Sequence, residues 1–146
     1  MALQDLARSA TKHLRLKCVC RIQADGREAV EDPEMAIHLY RIAQEAVANA
    51  AKHGRATEVT MSLGNIEGRV ELTVEDNGMG LPPDFTGGSG GMGLRVMQYR
   101  AGLIGGTLHI GAGTGGGVVI TCAIEPVRAA RTDGRPVPQQ RRGLKG

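Results

Sequence analysis

The 146-residue chain has no tryptophan, one phenylalanine (Phe85) and two tyrosines (Tyr40 and Tyr99). With so few flat rings, base stacking is excluded as the basis of a nucleic-acid function, and the core must be aliphatic. Cysteine is scarce as well. Cys18, Cys20 and Cys122 form an odd set without a Cys-x-x-Cys pair. That excludes a disulfide framework and a zinc site, and it fits a reducing compartment. Cys18 and Cys122 are expected on strands, packed in the core. No apolar run approaches the roughly 20 residues that span a bilayer, and the stretch from Met1 to Leu16 is mixed and charged, unlike a signal peptide. The chain is expected to be cytoplasmic and soluble, with no membrane contact of its own, even if a larger parent is membrane-anchored.

What the chain has in excess is glycine, 22 residues, clustered between Gly78 and Gly117. Clustering points to backbone that bends sharply or comes close to a ligand. The formal net charge is +3, but it is unevenly spread. Beyond Val127 stand six basic residues (Arg128, Arg131, Arg135, Arg141, Arg142, Lys145) against one acid, Asp133. Residues 1–126 are therefore slightly acidic. The expected organisation is one domain over 1–126 and a basic, solvated and disordered tail over 127–146. A nucleic-acid role for the tail is the least favoured reading.

Periodicity supplies the elements. Leu3, Leu6, Ala7, Ala10 and Leu14 have helical spacing, and Lys17 to Gln23 alternates as a strand. Asp32 is a good N-cap, with Pro33 at the first helical position and Glu34 complementing the dipole. Leu39, Ile42, Ala43, Ala46, Val47 and Ala50 form that helix's apolar face, and Gly54 is the expected C-cap. Thr57–Leu63 and Val70–Val74 alternate, joined as a hairpin by a turn over Gly64–Gly68. A Gly- and Pro-rich stretch from Asp76 to Gly93 leads into a helix over Gly93–Ile104. Strands over Thr107–Ile110 and Val118–Ile124 follow, and Pro126 ends the fold. The pattern predicts an α/β (α+β) two-layer sandwich, its sheet mixed but largely antiparallel, with helices on one face.

Two stretches carry the chemistry. On the long helix, Glu45, Asn49, Lys52 and His53 fall within about a quarter to a third of a turn of one another, beside the apolar stripe. An amide oxygen at Asn49 suits Mg²⁺, which prefers oxygen ligands. Lys52 can neutralise a phosphate, and Glu45 can orient a water or accept a proton. Alone, this helix would read as an ordinary solvated face. The second stretch is Asp76-Asn77-Gly78-Met79-Gly80, then Gly91-Met92-Gly93-Leu94. A carboxylate at a strand's end can accept a hydrogen bond from an exocyclic amino group, although the same residues also make simple turns. Glycines opening a helix leave N–H groups aimed at one point, an arrangement suited to phosphates. Gly88-Ser89-Gly90-Gly91-Met92-Gly93 formally matches G-x-G-x-x-G, but no strand leads into it and no acid follows at the right distance. There is no G-x-x-x-x-G-K-[ST] motif.

Together these residues resemble the ATP-binding domain shared by sensor histidine kinases, type II topoisomerases, Hsp90-type chaperones and mismatch-repair ATPases (the GHKL superfamily, with the Bergerat fold). Arg41 to His53 is similar to the N box of bacterial two-component kinases of the nitrate-sensor-like group. Val74 to Gly80 resembles the first glycine box. Gly91 to Leu94, with Met97, Arg100, Ala101 and Gly105-Gly106, resembles the second glycine box and its helix. The resemblance spans about residues 35–126.

The resemblance implies a protein histidine kinase catalytic domain. In it, Asn49 would bind Mg²⁺, Glu45 would assist the metal or a water, and Lys52 and His53 would face the phosphates of ATP. Asp76 would recognise the adenine amino group, with Gly78 and Gly80 shaping that pocket. The backbone of Gly91, Met92, Gly93 and Leu94 would hold phosphates, and Leu81–Gly90 would form a short lid. The implied partners are a histidine-containing dimerisation domain and, through the parent, a response regulator receiver domain; the isolated domain would be monomeric. There are two departures. Gly116-Gly117 stands where the family often has Gly-Thr. And no histidine here (His13, His38, His53, His109) is followed by an acid, so the phosphoacceptor is expected on another domain, making the chain inactive in autophosphorylation on its own. Two alternatives are a nucleotide-binding regulatory or interaction module without transfer activity, and a serine kinase of the anti-sigma-factor type.

Overall fold

The computed structural model describes residues 2–23, 30, 32–82 and 92–125. In chain order these hold helix α1 (Ala2–His13), strand β1 (Lys17–Ile22), helix α2 (Pro33–Lys52), strands β2 (Glu58–Ile66) and β3 (Arg69–Asp76), helix α3 (Met92–Leu103), and strands β4 (Gly106–Ala112) and β5 (Val118–Ile124). The five strands form one sheet in the order β1-β2-β3-β5-β4. Only β1–β2 is parallel; the other three neighbouring pairs are antiparallel. The expected two-layer arrangement holds, with α1 and α2 packed on the sheet and α3 packed beside α2.

The two-residue period of the strands decides which face meets the helices. Val59, Met61 and Leu63 of β2, Val70, Leu72 and Val74 of β3, and Ile120, Cys122 and Ile124 of β5 are all buried. The alternate positions on these strands include Thr60, Ser62, Glu71, Thr73, Glu75 and Thr121, which are only half-buried. Leu39, Ile42, Ala43, Ala46, Val47 and Ala50 of α2 close the core from the other side, joined by Met97 and Ala101 of α3. Among the described residues no polar or charged residue is buried.

Cys18 and Cys122 are core strand residues as expected, and burial pushes each thiol up to about 11. Cys20, half-buried on β1, is also pushed up by burial.

Local chemistry sets the boundaries. The Asp32 side chain accepts from the Glu34 N–H at 3.1 Å, and Pro33 opens α2. Its C-terminus departs from expectation. The cap is His53, and the left-handed residue is Arg55, at φ 53°, not Gly54. The Gly54 carbonyl accepts the Met79 N–H at 2.8 Å, and Gly78 packs directly against it.

The β2–β3 hairpin is also tighter than the five-residue turn read from the sequence. Both strands extend to leave Glu67 and Gly68 at the turn, with φ of 54° and 86°. Two successive positive-φ residues match the right-handed twist of the flanking strands.

Candidate functional site

The inward period of β3 runs Val70, Leu72, Val74 and then Asp76. The fourth member lies past the edge of the apolar core, so its carboxylate points between the layers at the end of the sheet. There the helices and the sheet diverge around a cleft of about 630 Å³, a size suited to a small-molecule ligand. Its apolar lining is drawn from Ala46 and Ala50 of α2, Met97 of α3, and Ile110, Val118 and Ile120 of the sheet.

Glu45, Asn49, His53, Asp76, Gly80, Leu81, Gly93 and Leu94 all line this one cleft. The structure thus brings residues from three distant stretches into a single site. Lys52 does not line it; it is exposed on the last turn of α2. Gly78 is not in the lining either, but it shapes the turn beside it. Met92 opens α3, whereas Gly91 and residues 83–90 of the expected lid lie outside the described residues. The expected disordered tail over 127–146 likewise lies outside them.

Asp76 divides its two oxygens between different tasks. Oδ1 accepts the Gly78 N–H at 2.8 Å and the Val118 N–H at 3.3 Å. Among the described residues nothing donates to Oδ2. One oxygen is fixed by backbone and the other is available to a ligand's amino group.

The surrounding glycines are close-approach positions. A Cβ at Gly117 would overlap the Asp76 backbone, and one at Gly78 would overlap the Gly54 carbonyl. Gly80, at φ 85°, lies over the Gly116 carbonyl. This explains why no threonine stands at Gly117: the space beside Asp76 is already taken. The residue that reaches Asp76 from β5 is Val118, through its N–H, a contact no sequence motif announced.

Neighbouring bonds hold this turn in place. Asn77 Oδ1 accepts from the N–H groups of Thr57 and Glu58, both at 2.9 Å, and its amide donates to Thr57 Oγ1 at 2.9 Å. Glu75 Oε2 accepts from the Thr114 N–H at 2.9 Å and from its hydroxyl at 3.0 Å. The start of β2 and the β4–β5 loop are therefore both tied to the segment that carries Asp76.

On the opposite wall, the half-buried side chains of Glu45 and Asn49 have no hydrogen-bond partner among the described residues. An amide oxygen and a carboxylate facing a cleft without partners form a donor set suited to a hard divalent cation and its waters. The exposed His53 ring also borders the cleft.

Residues 34–128 match the model of the histidine kinase-, DNA gyrase B-, and HSP90-like ATPase family. The chain belongs to this family. It is 36% identical over 91 residues to the nitrate/nitrite sensor protein NarX of Escherichia coli K12, an alignment covering 62% of this chain and 15% of that protein. It is 37% identical over 109 residues to the sensor protein VraS of Staphylococcus epidermidis, covering 74% of this chain and 30% of that protein. The chain therefore spans less than a third of the length of these relatives.

Among solved structures, the ATP-binding domain of PrrB from Mycobacterium tuberculosis superposes with a TM-score of 0.69 at 26% identity. That match covers 86% of this chain and 91% of that one. The chain is thus a histidine-kinase-type ATP-binding domain. Among the described residues no helix is long and apolar enough to cross a membrane.

Proposed function

We propose that this domain binds Mg²⁺-ATP in the cleft between α2, α3 and the sheet, and presents the γ-phosphate to a histidine on a separate dimerisation domain. The observation that carries the reading is the pairing of unpartnered groups in one cleft. Asp76 Oδ2 is supplied by β3, and Glu45 with Asn49 by α2.

In this reading Asp76 Oδ2 accepts from the adenine amino group, while Ile110, Val118 and Ile120 enclose the ring. Asn49 Oδ1 would hold the metal. Glu45 would orient a water or receive the proton of the attacking imidazole. His53 borders the phosphates, and the first turn of α3, at Gly93 and Leu94, offers backbone N–H groups to them. Lys52, outside the cleft wall, acts at longer range as a positive charge near the phosphates. When bound, Mg²⁺ neutralises charge that develops on the phosphate oxygens. The γ-phosphorus bond to the bridging oxygen breaks, a phosphorus–nitrogen bond forms, and ADP leaves. The chain's contribution is positioning and electrostatics.

In the parent protein, the phosphate would pass from histidine to an aspartate on a response regulator. The dimerisation domain and the receiver domain are the partners this reading requires. The domain works on the cytoplasmic side of such a parent, over residues 1–126, with 127–146 as a basic extension.

The test supplies a histidine-bearing dimerisation domain in trans with γ-labelled ATP. Acid-labile, base-stable label on that domain supports the reading. A folded mixture that binds ATP yet never labels the acceptor contradicts it, and a nucleotide-binding module without transfer activity takes its place.

A further inference from the structure

Two of the contacts between helices α2 and α3 involve polar side chains. At the cleft end, the Glu45 carboxylate lies against Gly93, so closely that a Cβ at residue 93 would overlap Glu45 Oε2. Further along, Arg100 Nη1 lies 3.1 Å from His38 Nδ1. Pairing 45 with 93 and 38 with 100 means the helices run antiparallel, with two turns between the contacts on each. A guanidinium only donates. His38 Nδ1 is therefore the acceptor and its proton sits on Nε2, which faces Glu34 Oε2 at 4.0 Å. The His38 side chain is only 14% exposed, so the contact is shielded from water.

The rest of the joint is less directional. Met97 and Ala101 are buried apolar contacts, and such contacts tolerate small rotations. The outer side of α3 presents Val96, Tyr99 and Leu103 to solvent. Gly93 lies about 12 Å from Ala101 along the helix axis. By that lever, a tilt of only about 5° around Ala101 moves Gly93 by about 1 Å, a displacement of the size that can cost a hundredfold in a positioned reaction.

We propose that His38 and Arg100 are positioning residues for the phosphate end of the nucleotide site. Their bond fixes the pitch and rotation of α3, so that Gly93 and Leu94 stay against Glu45 and the cleft. Neither residue lines the cleft. The inference rests on the nucleotide-binding reading and adds a specific dependence to it: phosphate affinity depends on the clasp, and adenosine affinity does not.

The test titrates the full chain with Mg²⁺-ATP and, separately, with adenosine. The variants are Arg100→Met, Arg100→Lys, His38→Leu and His38→Asn. Arg100→Met and His38→Leu are expected to weaken Mg²⁺-ATP by about tenfold, the scale of one hydrogen bond to a charged group, and to leave adenosine unchanged. Arg100→Lys and His38→Asn, which keep a donor and an acceptor respectively, are expected to restore most of the loss. Equal weakening of both ligands, or of neither, overturns the proposal. If the unmodified chain binds adenosine and Mg²⁺-ATP equally, or binds neither, the nucleotide reading itself falls, and the inference with it. A readout without substitution is ¹⁵N NMR of the His38 ring at neutral pH. An unprotonated Nδ1 is expected, and a proton on Nδ1 overturns the clasp.

Discussion

Replacing Asp76 with asparagine exchanges one oxygen for an NH₂ group and should reverse the hydrogen-bond polarity of the base pocket. Oδ1 is held by the N–H groups of Gly78 and Val118, and an amide oxygen serves both donors as a carboxylate oxygen does. The substituted amide must then orient with its oxygen toward the backbone and its NH₂ toward the cleft. An adenine amino group would meet a donor instead of an acceptor. The direct loss is one hydrogen bond to a charged group, about 1.5–3 kcal/mol, or roughly 10- to 150-fold in affinity. ITP carries a carbonyl where ATP carries the amino group, and it should bind Asp76→Asn better than it binds the unmodified chain. Stability should change little, because the two backbone donors keep their acceptor. Asp76→Ala, in contrast, leaves both unsatisfied, at about 1–3 kcal/mol each. The assay is calorimetric titration of ATP and ITP on both chains, with thermal melts alongside. Asp76→Asn that binds ATP undiminished, or that loses ATP and ITP in parallel, would refute the division of labour between the two oxygens.

Two further outcomes are expected. Asn77→Ala removes two acceptor contacts and one donor contact at the start of β2. It should lower stability by about 1–2 kcal/mol in denaturant titration, whereas Asn77→Asp, which keeps the acceptor, should lose less. Cys122 has a folded-state pKa of about 11 against an ordinary 9.0, so the unfolded chain gives up this proton first. Stability is fully present below about pH 9 and falls as pH rises toward 11. Melting measured across that window should show the loss, and Cys122→Ala should remove its share of it.

Much of the fold is legible in the residues. The Asp32-Pro33 start of α2, its apolar stripe and the alternation in β2, β3 and β5 each have one physical solution, and the structure adopts it. Other features depend on contacts between distant segments. Gly54 reads as a helix cap, yet Arg55 takes the left-handed conformation instead, and the close approach 24 positions further on requires glycine at Gly78, where a Cβ would strike the Gly54 carbonyl. The short Glu67-Gly68 turn follows from cross-strand register, which local turn residues do not reveal.

The site divides in the same way. Glu45, Asn49, His53 and Asp76 stand out because polar groups flank apolar periods in a recognisable order. Val118 does not, because it contributes a backbone N–H and an apolar wall that any strand residue could supply. Ile110 and Ile120 are likewise invisible as site residues, since their spacing only marks them as core. Lys52 shares the helical stripe of Asn49 by spacing, but its added angle carries it past the edge of the cleft onto the exposed surface.

In the proposed binding mode one cleft holds adenine through Asp76 and a metal-bound phosphate through Asn49. The most direct measurement is calorimetric titration of ATP, with and without Mg²⁺, on the unmodified chain and on Asn49→Ala. The unmodified chain should bind ATP more tightly with Mg²⁺, and Asn49→Ala should still bind ATP but gain nothing from the metal. A folded chain that binds no ATP, or an Asn49→Ala variant with its Mg²⁺ dependence intact, would contradict it.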